Sequence, residues 1–196
     1  MTVVYISQIP EACGKDKHKI EHDAAIKRLM AGANELFSTN IDENEIIKTQ
    51  YGKPFLKDHP GIYFSISHCT GYAACAVSDT ETGLDIERFR NVNEKIYPKV
   101  FTPAEQDFLN NYKNDCKKHR EMFCRLWTLK ESRLKQNGMG FYGNPAGFEF
   151  TLEFSERGTS VKCSDRSVNF YQEMISHDCV LSVCAENLDE ITLRIM

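Results

Sequence analysis

The sequence predicts an α+β fold of two similar subdomains, each a helix packed on a small antiparallel sheet, related by a pseudo-twofold. Three observations predict it. A helix-length amphipathic segment is followed by a set of strand-like runs, and that order occurs twice along the chain. The stretches FSISHCTGYAACAV (64–77) and QEMISHDCVLSVCA (172–185) both set an Ile-Ser-His between strand-like runs and end in Cys-Ala. No low-complexity or linker-like segment separates the halves, so the division is expected within one body, 1–99 and 100–196.

Element by element, MTVVYISQ opens with β-branched and aromatic residues and reads as a strand. From about Lys19 to Phe37, Ile20, Ala24, Ile26, Ala31, Ala33 and Leu36 recur at helical spacing. GIYFSIS and YAACAVS are two strands separated by HCTG, and GLDIER is a third. In TPAEQDFL, Thr102 is a good N-cap, Pro103 stands at the first helical position and Glu105 completes a capping box. A longer helix is expected from about His119 to Gln136, stopped by Gly138. FEFTLEF, SVNFYQEM and CVLSVCAEN supply the strands of the second half.

The 196 residues are 41% hydrophobic, enough to bury a core, and the formal charge of -4 gives no bulk pull toward nucleic acid or an anionic membrane. The first twenty residues lack a long apolar run behind a basic start, and no apolar run reaches the ~18 residues of a membrane span. A cytoplasmic protein binding neither nucleic acid nor membrane is expected. The eight cysteines contain no CxxC pair, which argues against a thiolate zinc cage and for apolar core thiols.

Four short stretches could carry chemistry. In GLDIERFR, Asp85 and Glu87 share one face of a strand, which is unfavourable unless both are solvated or share a cation. An exposed edge strand satisfies the first condition and a hard divalent ion the second. In WTLKESRLK, Trp127, Glu131 and Lys135 fall on one helix face, with Phe123, Leu126, Trp127 and Leu134 as the apolar stripe. This pattern suits either a surface Glu–Lys pair or a site at the edge of the buried face. His68 is expected to follow directly after a strand, and Lys53 stands in a Gly-Pro turn that could aim its ammonium at a phosphate.

The order YGKP, FSISH, GLDIE, WTLKES and then Lys135 resembles the 4′-phosphopantetheinyl transferases of the surfactin-synthetase-activating type. The resemblance implies that fold, Mg²⁺ (or Mn²⁺ in its place) held by Asp85, Glu87 and Glu131, and coenzyme A as co-substrate. It implies transfer of the 4′-phosphopantetheine arm to a serine of an acyl or peptidyl carrier protein, releasing adenosine 3′,5′-bisphosphate. Lys135 would then reach the pyrophosphate, Lys53 and His68 the adenosine 3′-phosphate and nearby groups, with a hydrogen bond from Ser67. Asp85 and Glu131 would touch the bound donor. Glu131, or a water on the metal, would serve as general base. The N-terminal cations of the type do not align, leaving Lys19, Lys27 and Arg28 as substitutes. A monomer is expected, since one chain supplies both halves of the site. The alternatives are an inactive module binding coenzyme A or a carrier protein, and a structural protein whose carboxylates decorate its surface.

Overall fold

The computed structural model describes residues 1–10, 16–91, 93–156 and 158–195. In chain order the elements are β1 (Thr2–Gln8), α1 (Lys17–Phe37), β2 (Ile46–Lys48), β3 (Pro54–Leu56), β4 (Tyr63–Cys69), β5 (Tyr72–Ser78) and β6 (Thr82–Arg88). The second half holds α2 (Tyr97–Val100), α3 (Pro103–Asn110), α4 (Cys116–Gln136), β7 (Phe150–Ser155), β8 (Gly158–Cys163), β9 (Asn169–Ser176), β10 (Cys179–Ala185) and β11 (Ile191–Ile195).

The larger sheet runs β11-β1-β5-β4 and the second β6-β10-β9, while β2-β3 and β7-β8 are separate two-stranded ribbons. Period-two alternation sorts the side chains. Val3 and Tyr5 join Leu29, Ala33, Cys75 and Val77 beneath α1, whereas Val4 and Ile6 join Ala74, Ala76, Leu84, Ile86, Leu181 and Val183 in a core shared by the two sheets. On the far side of the second sheet, Val180 packs with Met122, Phe123, Leu126 and Leu129 of α4. Each helix therefore covers the outer face of one sheet.

The two predicted hairpins, β4–β5 and β9–β10, are both present as antiparallel pairs. The halves of the sequence nevertheless exchange strands. β6 pairs antiparallel with β10, setting Asp85 opposite Ser182, and β11 pairs parallel with β1, setting Leu193 opposite Val4. A division at residue 99 parts the sequence in two, but each sheet draws a strand from the other side of it.

Three expectations change. His68 lies inside β4 rather than after it, because the turn is only Thr70–Gly71, with Gly71 at φ 84°. β2, β3, β8 and β11 had no reading as strands, although Ile191, Leu193 and Ile195 of β11 alternate with Thr192 and Arg194. The cysteines are not all core residues. Cys69, Cys75, Cys124, Cys179 and Cys184 are buried, but Cys116 is exposed, Cys163 is half-exposed, and Cys13 lies outside the described residues. The capping box at Thr102 and Glu105 and the Gly138 stop, at φ 70°, are present.

Candidate active site

The carboxylates of β6 are brought against α4 by one missing side chain. A Cβ on Gly83 would stand 2.0 Å from the Ser132 carbonyl oxygen and 2.4 Å from the Gln136 nitrogen. Only glycine lets the strand and the helix backbone approach so closely. Asp85 and Glu87, two and four residues on, therefore face the same helix, with Ser182 and Val180 beside them in the register.

Helix α4 is fixed at both ends. Asp115 caps its start, accepting from the Lys117 and Lys118 backbone N–H groups at 3.0 Å each. Along its length Thr128 Oγ1 meets Ser182 Oγ at 2.7 Å. Lys130 is fully buried against Glu105 Oε2 at 2.7 Å and also donates to the Pro145 and Phe148 carbonyls. Glu105 in turn closes the cap of α3 and accepts from the Phe150 N–H at 2.7 Å. Lys130, in the middle of LKES, thus joins α4 to α3 and β7.

The next residues around the helix form the site. Lys135 Nζ donates to Asp85 Oδ1 at 2.7 Å and to Ser67 Oγ at 3.0 Å, and Ser67 donates to the same Asp85 oxygen at 2.8 Å. On β4, Ser65 Oγ accepts from the Leu84 N–H at 2.9 Å, so two serines two residues apart tie β4 to β6 without a ladder. Asp85 is 5% exposed, and its Oδ2 is buried with no hydrogen-bond partner. The surface Glu–Lys pair is not what forms, since Lys135 pairs with Asp85 rather than Glu131.

Burial, and then the charge of Asp85, push Glu87 up to about 7. The same two causes raise Glu131. Arg90, 3.6 Å from Glu87 and stacked over the Trp127 and Phe123 rings, acts the other way on both. Arg90 was missed in the sequence, although an opposite charge three residues after Glu87 was its signal.

Two adjoining cavities meet at Lys135. One, of about 540 Å³, is lined by His18, His22, Lys48, Ser67 and His68. The other, of about 420 Å³, is more apolar and includes Tyr51, Lys53, Phe64, Glu131 and Tyr142. Lys53 and His68 thus line different cavities. The Lys53 ammonium is bound to Glu81 and, at 2.6 Å, to the Gln136 carbonyl at the end of α4. His68 Nδ1 lies 3.3 Å from Glu21 Oε2. From α1 it is His18, His22 and Ile26 that line the first cavity, rather than Lys19, Lys27 or Arg28.

Among the described residues no group of three or more His, Cys, Asp or Glu side chains is placed to hold a metal ion. The donor chemistry still fits a hard divalent cation. Three carboxylates supply oxygen ligands only, one oxygen of Asp85 is buried and unpartnered, and Asp85 raises the other two acids in a way a cation would reverse.

A profile of the 4′-phosphopantetheinyl transferase superfamily matches residues 81–184, over half of the chain, and the chain belongs to that superfamily. Within it, the similar curated proteins include the 4′-phosphopantetheinyl transferases Gsp and Sfp. The chain is 36% identical over 105 residues to the 4′-phosphopantetheinyl transferase Gsp of Aneurinibacillus migulanus, covering 53% of this chain and 43% of that one. It is 35% identical over 103 residues to the 4′-phosphopantetheinyl transferase Sfp of Bacillus subtilis (strain 168), covering 51% and 45%. A longer match, 25% identical over 182 residues, is to the L-aminoadipate-semialdehyde dehydrogenase-phosphopantetheinyl transferase of Candida glabrata, covering 87% and 69%. The chain thus spans less than half the length of the first two relatives. Among solved structures, the holo-[acyl-carrier-protein] synthase of Thermotoga maritima aligns with a TM-score of 0.39 at 19% identity, covering 54% of this chain and 61% of that one.

Proposed function

We propose that this chain transfers the 4′-phosphopantetheine group of coenzyme A to a serine hydroxyl of an acyl or peptidyl carrier protein. The observation that carries the reading is the convergence of Asp85, Glu87, Glu131 and Lys135 between β6 and α4, with one oxygen of Asp85 buried and unpartnered. Asp85, Glu87 and Glu131 would hold Mg²⁺, which neutralises pyrophosphate oxygens when bound.

The chain's own groups account for the rest. Lys135 lines both cavities, and its ammonium is placed to pair with the pyrophosphate once it exchanges Asp85 for a phosphate oxygen. Glu131 takes the serine proton as the serine oxygen attacks the β-phosphorus. The phosphorus–oxygen bond to the adenosine 3′,5′-bisphosphate breaks, and that anion leaves with the bonding electrons. His68 faces the cationic cavity, suited to the anionic nucleotide end of the donor, while Lys53 stands by the second cavity. A monomer in the cytoplasm suffices, since all four groups come from one chain.

Intact mass spectrometry of apo carrier proteins incubated with the chain, coenzyme A and Mg²⁺ tests this. A gain of one phosphopantetheine mass, lost with EDTA and in Glu131→Gln, is expected. Tight coenzyme A binding with no gain on any fatty-acid, polyketide or peptidyl carrier would instead establish a binding module.

A further inference from the structure

Beneath the start of α1 lies an acid that the carboxylate centre does not use. Glu21 is 4% exposed, and its only hydrogen bond among the described residues is to His68, whose Nδ1 stands 3.3 Å from Oε2. Oε1 is buried with no hydrogen-bond partner, and the Lys17 ammonium, 3.9 Å away, is held at 2.6 Å by Thr70 Oγ1. Burying a carboxylate with so few partners is costly, and packing alone gives no reason to keep an acid there.

Alternation along β4 explains how the pair forms. Ser67 turns to Asp85, and His68 turns the other way, beneath α1. In the register His68 is opposite Ala73 and Ala73 is opposite Ser7, so two small side chains stand in the row beside the imidazole. Glu21 descends into that space. The rings of His18 and His22 meet His68 edge-on from the same helix, at centroid distances of 4.6 and 6.3 Å, and Glu43, Lys48 and Lys135 line the cavity these histidines share. Burial and then His18 hold His68 below its ordinary pKa, and Glu21 acts the other way.

We propose, resting on the transfer reading that sets His68 at the nucleotide end of the donor, that Glu21 is a positioning residue: it holds a proton on His68 Nδ1, turns Nε2 to the cavity, and stabilises the imidazolium formed when Nε2 donates to a phosphate oxygen. Glu21 acts only through the imidazole. Because His68 takes up a proton as the anion binds, affinity is full below the titration of free His68 and falls as pH rises through it toward the titration of bound His68. Removing the charge of Glu21 lowers both titrations, which moves the fall to lower pH and leaves the acid plateau in place. The titration of the ligand's own phosphates is common to every variant.

The test is calorimetry of adenosine 3′,5′-bisphosphate binding to the full chain in EDTA, across pH, in wild type, Glu21→Gln, His68→Ala and the double variant. Wild-type affinity is expected to fall as pH rises, and Glu21→Gln to move that fall about one pH unit to the acid side with unchanged affinity at the acid end. In the His68→Ala background Glu21→Gln should change nothing. A structural lesion would instead weaken binding at every pH, with or without His68. Circular dichroism checks folding, and nitrogen-15 NMR of wild type needs no variant: neutral His68 should carry its proton on Nδ1. A proton on Nε2, an unmoved profile in Glu21→Gln, or an equal loss in both backgrounds would each overturn the proposal. Transfer to a carrier alongside any of these leaves the transfer reading standing without it, whereas the expected profile with no transfer on any carrier removes that reading and keeps the role of Glu21 in binding. No nucleotide binding by wild type would overturn both.

Discussion

Helices α1 and α4 are both 21 residues long, and each covers the outer face of a sheet, yet they are held by different forces. α1 docks through small and aliphatic residues, Ala25, Ile26, Leu29 and Ala33, with Gly32 pressed against the Tyr5 ring and no side-chain cap at its start. α4 buries twelve residues, among them His119, Arg125, Thr128, Lys130, Ser132 and Gln136. Its Arg125 exchanges hydrogen bonds with Gln172, and Gln172 reaches Ser182 at 2.9 Å. Apolar contact is tolerant of small slides, whereas hydrogen bonds fix angle and distance. The helix that carries Glu131 and Lys135 is the one so fixed.

That contrast can be broken most severely at the glycine. Gly83→Ala puts a methyl into the α4 backbone, so we expect several-fold loss of Mg²⁺ affinity and destabilisation of about 3 kcal/mol or more, read by calorimetry and urea unfolding. Next, Lys130→Met leaves Glu105 buried without its cation and should cost about 3–5 kcal/mol, while Leu29→Ala under α1 should cost about 2–5 kcal/mol. Pairing Lys130→Met with Glu105→Gln should recover only the part of the first loss due to the bare charge, since the amide can accept from one of the Thr102 and Phe150 N–H groups and not both, and none of the second. If the double variant recovers nothing, the uncompensated charge of Glu105 is not the source of the loss.

The pH dependence of the metal-free protein sharpens the same point. Glu87 titrates near 7 when folded against an ordinary 4.5, so between those values the native state holds a proton that the unfolded chain has lost. Stability should therefore fall as pH rises from about 4.5 to 7, and saturating Mg²⁺ should flatten the slope. An equal slope with and without Mg²⁺ would place the ion elsewhere. The smallest effect is expected at the second Ile-Ser-His. His177 lies exposed in the β9–β10 turn, so His177→Ala should change stability by less than about 0.5 kcal/mol and leave transfer unaltered.

The repeated hairpins show why sequence resemblance between halves stops short of function. His68 and His177 follow the same Ile-Ser in the sequence, but His68 lies inside β4, which borders β6 and α1, whereas His177 lies in the turn after β9, which faces the β8 ribbon. The chemistry of each histidine comes from its neighbours.

What the sequence determined by itself is what depends on nearby residues: both long helices, the stop of α4 at Gly138, the capping box of α3, and the two hairpins. Local periodicity and turn chemistry act within about a dozen residues, so they can be read along the chain. Tertiary structure alone decided that β6 and β11 trade sheets, that Lys130 is a buried tie, that Lys53 and His68 line different cavities, and that Gly83 sets the closeness of strand and helix. Each depends on partners far apart in sequence, brought together by burial of faces that period-two alternation creates but does not pair.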